Sequence, residues 1–134
     1  MLSVSKYDQD YIDQCRSTTD ARMGAYGDLA SEGGSGVADF EPVFFNTMLL
    51  ALDHLFCHRG RTIEGKDGNP LNEVRVLCDS IMENDGIVAG DKQIRLQPDA
   101  SVLGYEAGDE IRLSEADFRL LSGAFLAEIE AKYR

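Results

Sequence analysis

Two histidines, His54 and His58, stand four residues apart in a segment that reads as helix. On a helix that spacing projects both imidazoles from one face, the arrangement used by two ligands of one metal ion. A metal site needs a third ligand. Glu64 lies six residues beyond His58, which on a continued helix is about 240° round and roughly 9 Å along. Glu73, on a following helix, is the better geometric candidate, so the metal reading rests on His54, His58 and Glu73. The glutamate between the histidines of an HExxH zinc site is missing. A second chemistry is an RNA-processing helical bundle, in which His58 acts as general acid or base while Arg59 or Arg61 holds a phosphate. Against both stands the plain reading of a packed or solvated histidine pair. Cys57 adjoins His58, but neighbours on a helix point about 100° apart and do not meet, so Cys57 reads as core.

The same region raises a broader question. Residues 59–75 carry four basic and three acidic side chains, whereas the rest of the chain carries nine and twenty-one. One reading is structural. Arg59, Arg61 and Lys66 follow one predicted helix and Asp67, Asn69, Asn72 and Glu73 open the next, which is where helix dipoles favour each sign. The other reading is recognition. Arg59, Arg61 and Arg75 have the donors to clamp a phosphate or carboxylate. "KDGN" and the helix start at Asn69 and Asn72 offer amides to an anion. The candidate ligand-binding residues are therefore Arg59, Arg61, Glu64, Lys66, Asp67, Asn69, Asn72, Glu73 and Arg75. No Walker, Rossmann, GxSxG or EF-hand pattern occurs, and no cofactor is called for.

Composition narrows the partners. A net charge of −11 argues against nucleic acid and anionic lipid, which need clustered Lys and Arg, and suits a basic protein partner. The longest apolar patch is broken by Asn46, Thr47, Asp53 and His54 and is too polar to span a bilayer. The first residues, "MLSVSKYDQDYIDQC", contain acids and no apolar run, unlike a signal peptide. Three widely spaced cysteines, Cys15, Cys57 and Cys78, read as free buried thiols in a reducing cytoplasm.

The elements that would position these groups follow from periodicity. Residues 5–29 read as a helix whose stripe runs Tyr7, Tyr11, Cys15, Thr18, Arg22 and Tyr26. "SEGGSG", residues 31–36, reads as a flexible linker. The strongest helix follows, with Asp39 as N-cap and Pro42 in its first turn, ending at Gly60 or Gly65. Its wide apolar arc of Phe44, Phe45, Met48, Leu49, Leu52, Leu55 and Phe56 suggests neighbours on several sides, one of them a second subunit in a homodimer. Asn69 followed by Pro70 starts another helix, with Leu71, Val74, Leu77, Cys78 and Ile81 as its stripe. From residue 87 to residue 113, Ile94 and Leu96 alternate with Gln93, Arg95 and Gln97, and Ile111 and Leu113 with Glu110 and Arg112, a strand signature. Ser114 caps a last helix with the stripe Phe118, Leu121, Phe125, Ile129 and Tyr133.

The expectation is a single α+β domain over residues 1–134, mainly helical. About four helices form a compact bundle, and a small antiparallel β-hairpin or sheet precedes the last helix. Functionally it reads as a small acidic cytoplasmic binding or regulatory module centred on residues 59–75, with the His54 and His58 enzyme as the alternative.

Overall fold

The computed structural model describes residues 3–90, 94, 96–97 and 99–134. Among the described residues are five helices: α1 (Gln9–Ser31), α2 (Val37–Leu55), the single turn α3 (Arg61–Glu64), α4 (Pro70–Glu83) and α5 (Glu115–Tyr133). The four long helices pack pairwise, α2 against α1, α4 and α5, and α5 also against α1 and α4.

The fold is all-helical, which corrects the α+β expectation. No sheet forms among the described residues; residues 87 and 110 meet only in an isolated antiparallel bridge. The alternation that resembles strands has another cause. Ile94, Ile111 and Leu113 are buried because one side of an extended loop lies on the helices. Three backbone bonds join residues 86–88 to 108–111, and side chains of the helices satisfy further loop groups. Asn46 of α2 donates to the Ile111 carbonyl (2.9 Å) and accepts from the Leu113 amide (3.2 Å). Glu73 of α4 accepts from the amides of Val102 (2.8 Å) and Leu103 (3.0 Å). Gln93 and Arg95, polar members of the expected first strand, lie outside the described residues.

Helix starts follow local chemistry closely. Asn69 caps α4 by accepting from the Leu71 and Asn72 amides, with Pro70 at the first helical position. Ser114 and Asp117 form a reciprocal capping box on α5. At α2 the cap is Gly36 rather than Asp39. Its φ of 100° lies in the left-handed region that glycine adopts without steric cost. The helix therefore begins at Val37, so the "SEGGSG" segment is a short turn between α1 and α2.

One stripe is shifted. In α1 the buried face is Ile12, Cys15, Thr19, Met23 and Tyr26, whereas Tyr11 and Arg22 are exposed. Steps of four drift about 40° each, so a real stripe must mix threes and fours. In α2 the apolar arc is covered by α1, α4 and α5 of the same chain. The arc is thus accounted for within one chain, without a second subunit.

Candidate functional site

Helix α2 ends at Leu55, short of both glycines. Phe56 drops into the core between the rings of Tyr7, Tyr11 and Phe125. The last carbonyls of α2 and of the turn after it are then taken from outside. The Tyr11 hydroxyl donates to the Leu55 carbonyl (2.5 Å), the Arg59 guanidinium to that of Phe56 (3.1 Å), and the Val4 amide to that of His58 (2.7 Å). The Gly60 amide returns a bond to the Val4 carbonyl (2.7 Å), so the N-terminal segment straps the joint. This early stop takes His58 off the helix. His54, Cys57 and His58 are all exposed, and they line a shallow groove of about 390 Å³ with Val4, Tyr7, Tyr11 and Leu55. Cys57 is thus a surface thiol rather than core, while Cys15 and Cys78 are buried.

Beyond Gly60 the chain turns inward. Arg59 and Glu64 have fully buried side chains and are joined by an Nε–Oε1 bond of 3.0 Å. Arg59 Nη1 donates to Asp53 Oδ1 (2.9 Å), Nη2 reaches the Leu71 carbonyl (3.4 Å), and the guanidinium carbon lies 5.3 Å from the Phe125 ring centroid. Arg75 forks onto Glu64 from α4, with Nε to Oε2 at 3.0 Å and Nη2 to Oε1 at 2.6 Å. Asn72 Nδ2 adds a bond to Oε2 (2.9 Å). Glu64 therefore accepts four hydrogen bonds, which is what a carboxylate's lone pairs can hold. Two guanidinium cations face the carboxylates of Glu64 and Asp53, so the cluster is balanced in charge. Burial alone pushes the Glu64 carboxyl up, but the Arg75 bonds, the Arg59 and Arg75 charges and Asn72 outweigh it and hold its pKa below the usual value.

The surrounding turn is tied down equally. Asn72 accepts from the Gly68 amide (2.9 Å) and donates to the Gly65 carbonyl (3.0 Å). Asn69 Nδ2 bonds the Glu64 carbonyl (2.7 Å) and Asp67 Oδ1 (2.7 Å). Helix α5 closes the far side: Lys132 Nζ donates to the Glu64 carbonyl (2.9 Å) and the Tyr133 hydroxyl to that of Gly60 (2.7 Å). Burial raises the Tyr133 phenol to about 12, with the nearby Glu64 charge acting in the same direction. Among the described residues, no buried side-chain nitrogen or oxygen is left without a partner.

The nine residues singled out from the sequence thus divide. Arg59, Glu64, Asn69, Asn72 and Arg75 converge on one network. Arg61, Lys66 and Asp67 are exposed on its outer rim. Glu73 faces away, toward the loop at residues 102–103. That placement separates it from His54 and His58, and no group of three His, Cys, Asp or Glu among the described residues is arranged to hold a metal ion. Asp53, Lys132 and Tyr133 belong to the network too. No local spacing signals them, because Lys132 and Tyr133 arrive from the other end of the chain and Asp53 reads as an ordinary polar position on a helix. No family model, curated protein or solved structure matches this chain.

Proposed function

We propose that this protein is a non-catalytic module that works by binding a protein partner, with the 59–75 joint as its structural centre. The observation that supports the reading most strongly is the saturation of Glu64. A carboxylate accepting from Arg59, Arg75 and Asn72 at once has no free lone pair to receive a substrate proton or a metal. The clasp instead stiffens the junction of α2, α3, α4 and α5. A rigid frame lowers the ordering cost of association, which is how a small module gains affinity without large area. The strongly acidic surface suits a basic partner and resists nucleic acid. Free cysteines suit a reducing compartment such as the cytoplasm.

The experiment pairs capture with turnover. The purified chain, the rim variant Arg61→Ala/Lys66→Ala/Asp67→Ala and the clasp variant Glu64→Gln are used as crosslinking baits. One stoichiometric protein partner, kept by the rim variant and lost with folding in the clasp variant, is the expected result. Hydrolysis of mixed RNA that disappears in His54→Ala or His58→Ala would overturn the reading in favour of an enzyme.

A further inference from the structure

We propose that the tip formed by the end of α1 and the start of α2 is the docking surface, and that its occupant is a basic amphipathic helix of a partner protein; the inference rests on the reading of the chain as a binding module. Three observations converge there. First, Leu29, Phe40 and Val43 are large apolar side chains left 55%, 45% and 59% exposed. Leu29 and Phe40 rim a groove of about 320 Å³ whose wall includes Tyr26 and Val37. Its size is at the low end for a binding pocket and suits side-chain anchors rather than a whole folded surface.

Second, the floor of the groove is bare backbone. Gly33, Gly34 and Gly36 line it, and a Cβ built on any of them would meet nothing within 4 Å. A ligand helix can therefore approach the turn closely, with apolar residues at i, i+3, i+4 and i+7 seated against Leu29, Phe40 and Val43.

Third, the stretch of chain that builds the groove carries one sign of charge. From Arg22 to Arg59 the sequence contains no Lys or Arg, while Asp28, Glu32 and Asp39 adjoin the apolar residues. Asp39 and Val43 are one helical turn apart on α2, and Leu29 and Glu32 are one turn apart at the end of α1. Glu41 is already engaged by the Glu115 amide (2.9 Å), leaving Asp28, Glu32 and Asp39 as the exposed acids of this stretch. An apolar centre on an acidic stretch of chain favours a helix with an apolar stripe flanked by Lys or Arg. The same acids disfavour a second copy of this chain, which would bring like charges together.

The test uses a synthetic helix of Leu and Lys patterned at the helical period, and a counterpart with Glu in place of Lys, titrated into the full chain by calorimetry. The Leu/Lys helix binds with a one-to-one stoichiometry, the Leu/Glu helix does not, and added salt weakens the complex. Leu29→Ser/Phe40→Ser/Val43→Ser changes only exposed side chains and lowers affinity by about tenfold or more. Asp28→Asn/Glu32→Gln/Asp39→Asn lowers affinity and flattens the salt dependence. A control that neutralises acids on other elements, Glu83→Gln/Asp85→Asn/Glu110→Gln, leaves affinity within about twofold. Equal loss in that control would show diffuse charge attraction and overturn the site. So would unchanged binding by the Ser variant, or a self-association in sedimentation that Phe40→Ser abolishes. A natural partner that binds the tip variants as well as the native chain would sink this surface while leaving the module reading intact, whereas histidine-dependent RNA hydrolysis would sink the module reading itself.

Discussion

Arg59 and Glu64 are five residues apart in sequence and meet with no solvent between them, Nε to Oε1 at 3.0 Å, both side chains fully buried. Each would be costly alone. A lone buried charge loses several kcal/mol of hydration, and only a partner with good geometry and further hydrogen bonds offsets it. Here the geometry is supplied by Arg75, Asn72 and Asp53. The cluster is best viewed as a device that fixes position: displacing α3 against α2 or α4 leaves a buried charge without its partner.

Glu64→Gln removes the carboxylate and leaves Arg59 and Arg75 facing a neutral amide. The expected loss is about 3–5 kcal/mol of unfolding free energy, as for other broken buried pairs. Glu110→Gln, which removes an exposed partner of Arg112, costs under about 1 kcal/mol. Urea unfolding of both variants checks the contrast.

Acid should act through the same group. The Glu64 pKa is lower in the folded chain than the ordinary carboxylate value. A depressed folded pKa means that the stabilisation is complete above the unfolded pKa and is lost as pH falls through the folded one. Glu130, held down by hydrogen bonds from Arg16 and Gln9, and Asp67, held down by Asn69, act in the same direction. Urea midpoints measured from neutral pH down to about pH 3 should fall in the native chain, and fall less steeply in Glu64→Gln.

Glu73 and Asn46 are predicted to hold the long loop before α5. Glu73→Gln leaves one of the Val102 and Leu103 amides without its acceptor, and Asn46→Ala frees the Leu113 amide. Each should cost about 1–3 kcal/mol. Amide exchange should quicken at residues 102–103 in the first variant and at residue 113 in the second.

Much of this fold is written locally. Asn69–Pro70 and Ser114 with Asp117 mark helix starts because a side-chain oxygen must reach an amide two or three residues on. The α5 stripe is legible because Phe118, Leu121, Phe125, Ile129 and Tyr133 all face the core. The loop resembles a strand in sequence for a physical reason. Alternating burial at Ile111 and Leu113 arises equally from a strand in a sheet and from an extended chain lying on helices, and only Asn46, more than sixty residues away, decides between them. The end of α2 is not legible from its glycines because it is set where Phe56 turns into the core and Tyr11 takes the Leu55 carbonyl, again distant contacts. The charge contrast of residues 59–75 did locate the polar network, but not that Glu64 is buried and Lys66 exposed. The burial of Glu64 depends on which side of the one-turn α3 faces α4, and Lys66 lies past the end of α3.

The thiols should separate by reactivity. Cys57 is exposed, whereas burial raises the Cys15 and Cys78 thiols and keeps them protonated. A thiol-specific chromogenic disulfide should modify Cys57 rapidly in the native state and the other two only on unfolding, as counted by absorbance and peptide mapping.

Zinc added to protein carrying no affinity tag should leave the unfolding temperature unchanged, since Glu73 is committed to Val102 and Leu103 and cannot complete a site with His54 and His58. A rise that His54→Ala abolishes would contradict that arrangement.

The most direct test is hydrogen exchange at the arginine side chains by NMR. If the joint is a closed clasp, the Arg59 Nε–H, enclosed by Glu64, exchanges far more slowly than that of exposed Arg61 in the same sample, and Glu64→Gln removes the difference. If Arg59 exchanges as fast as Arg61 in the native chain, its guanidinium is open to water and the structural account of residues 59–75 is wrong.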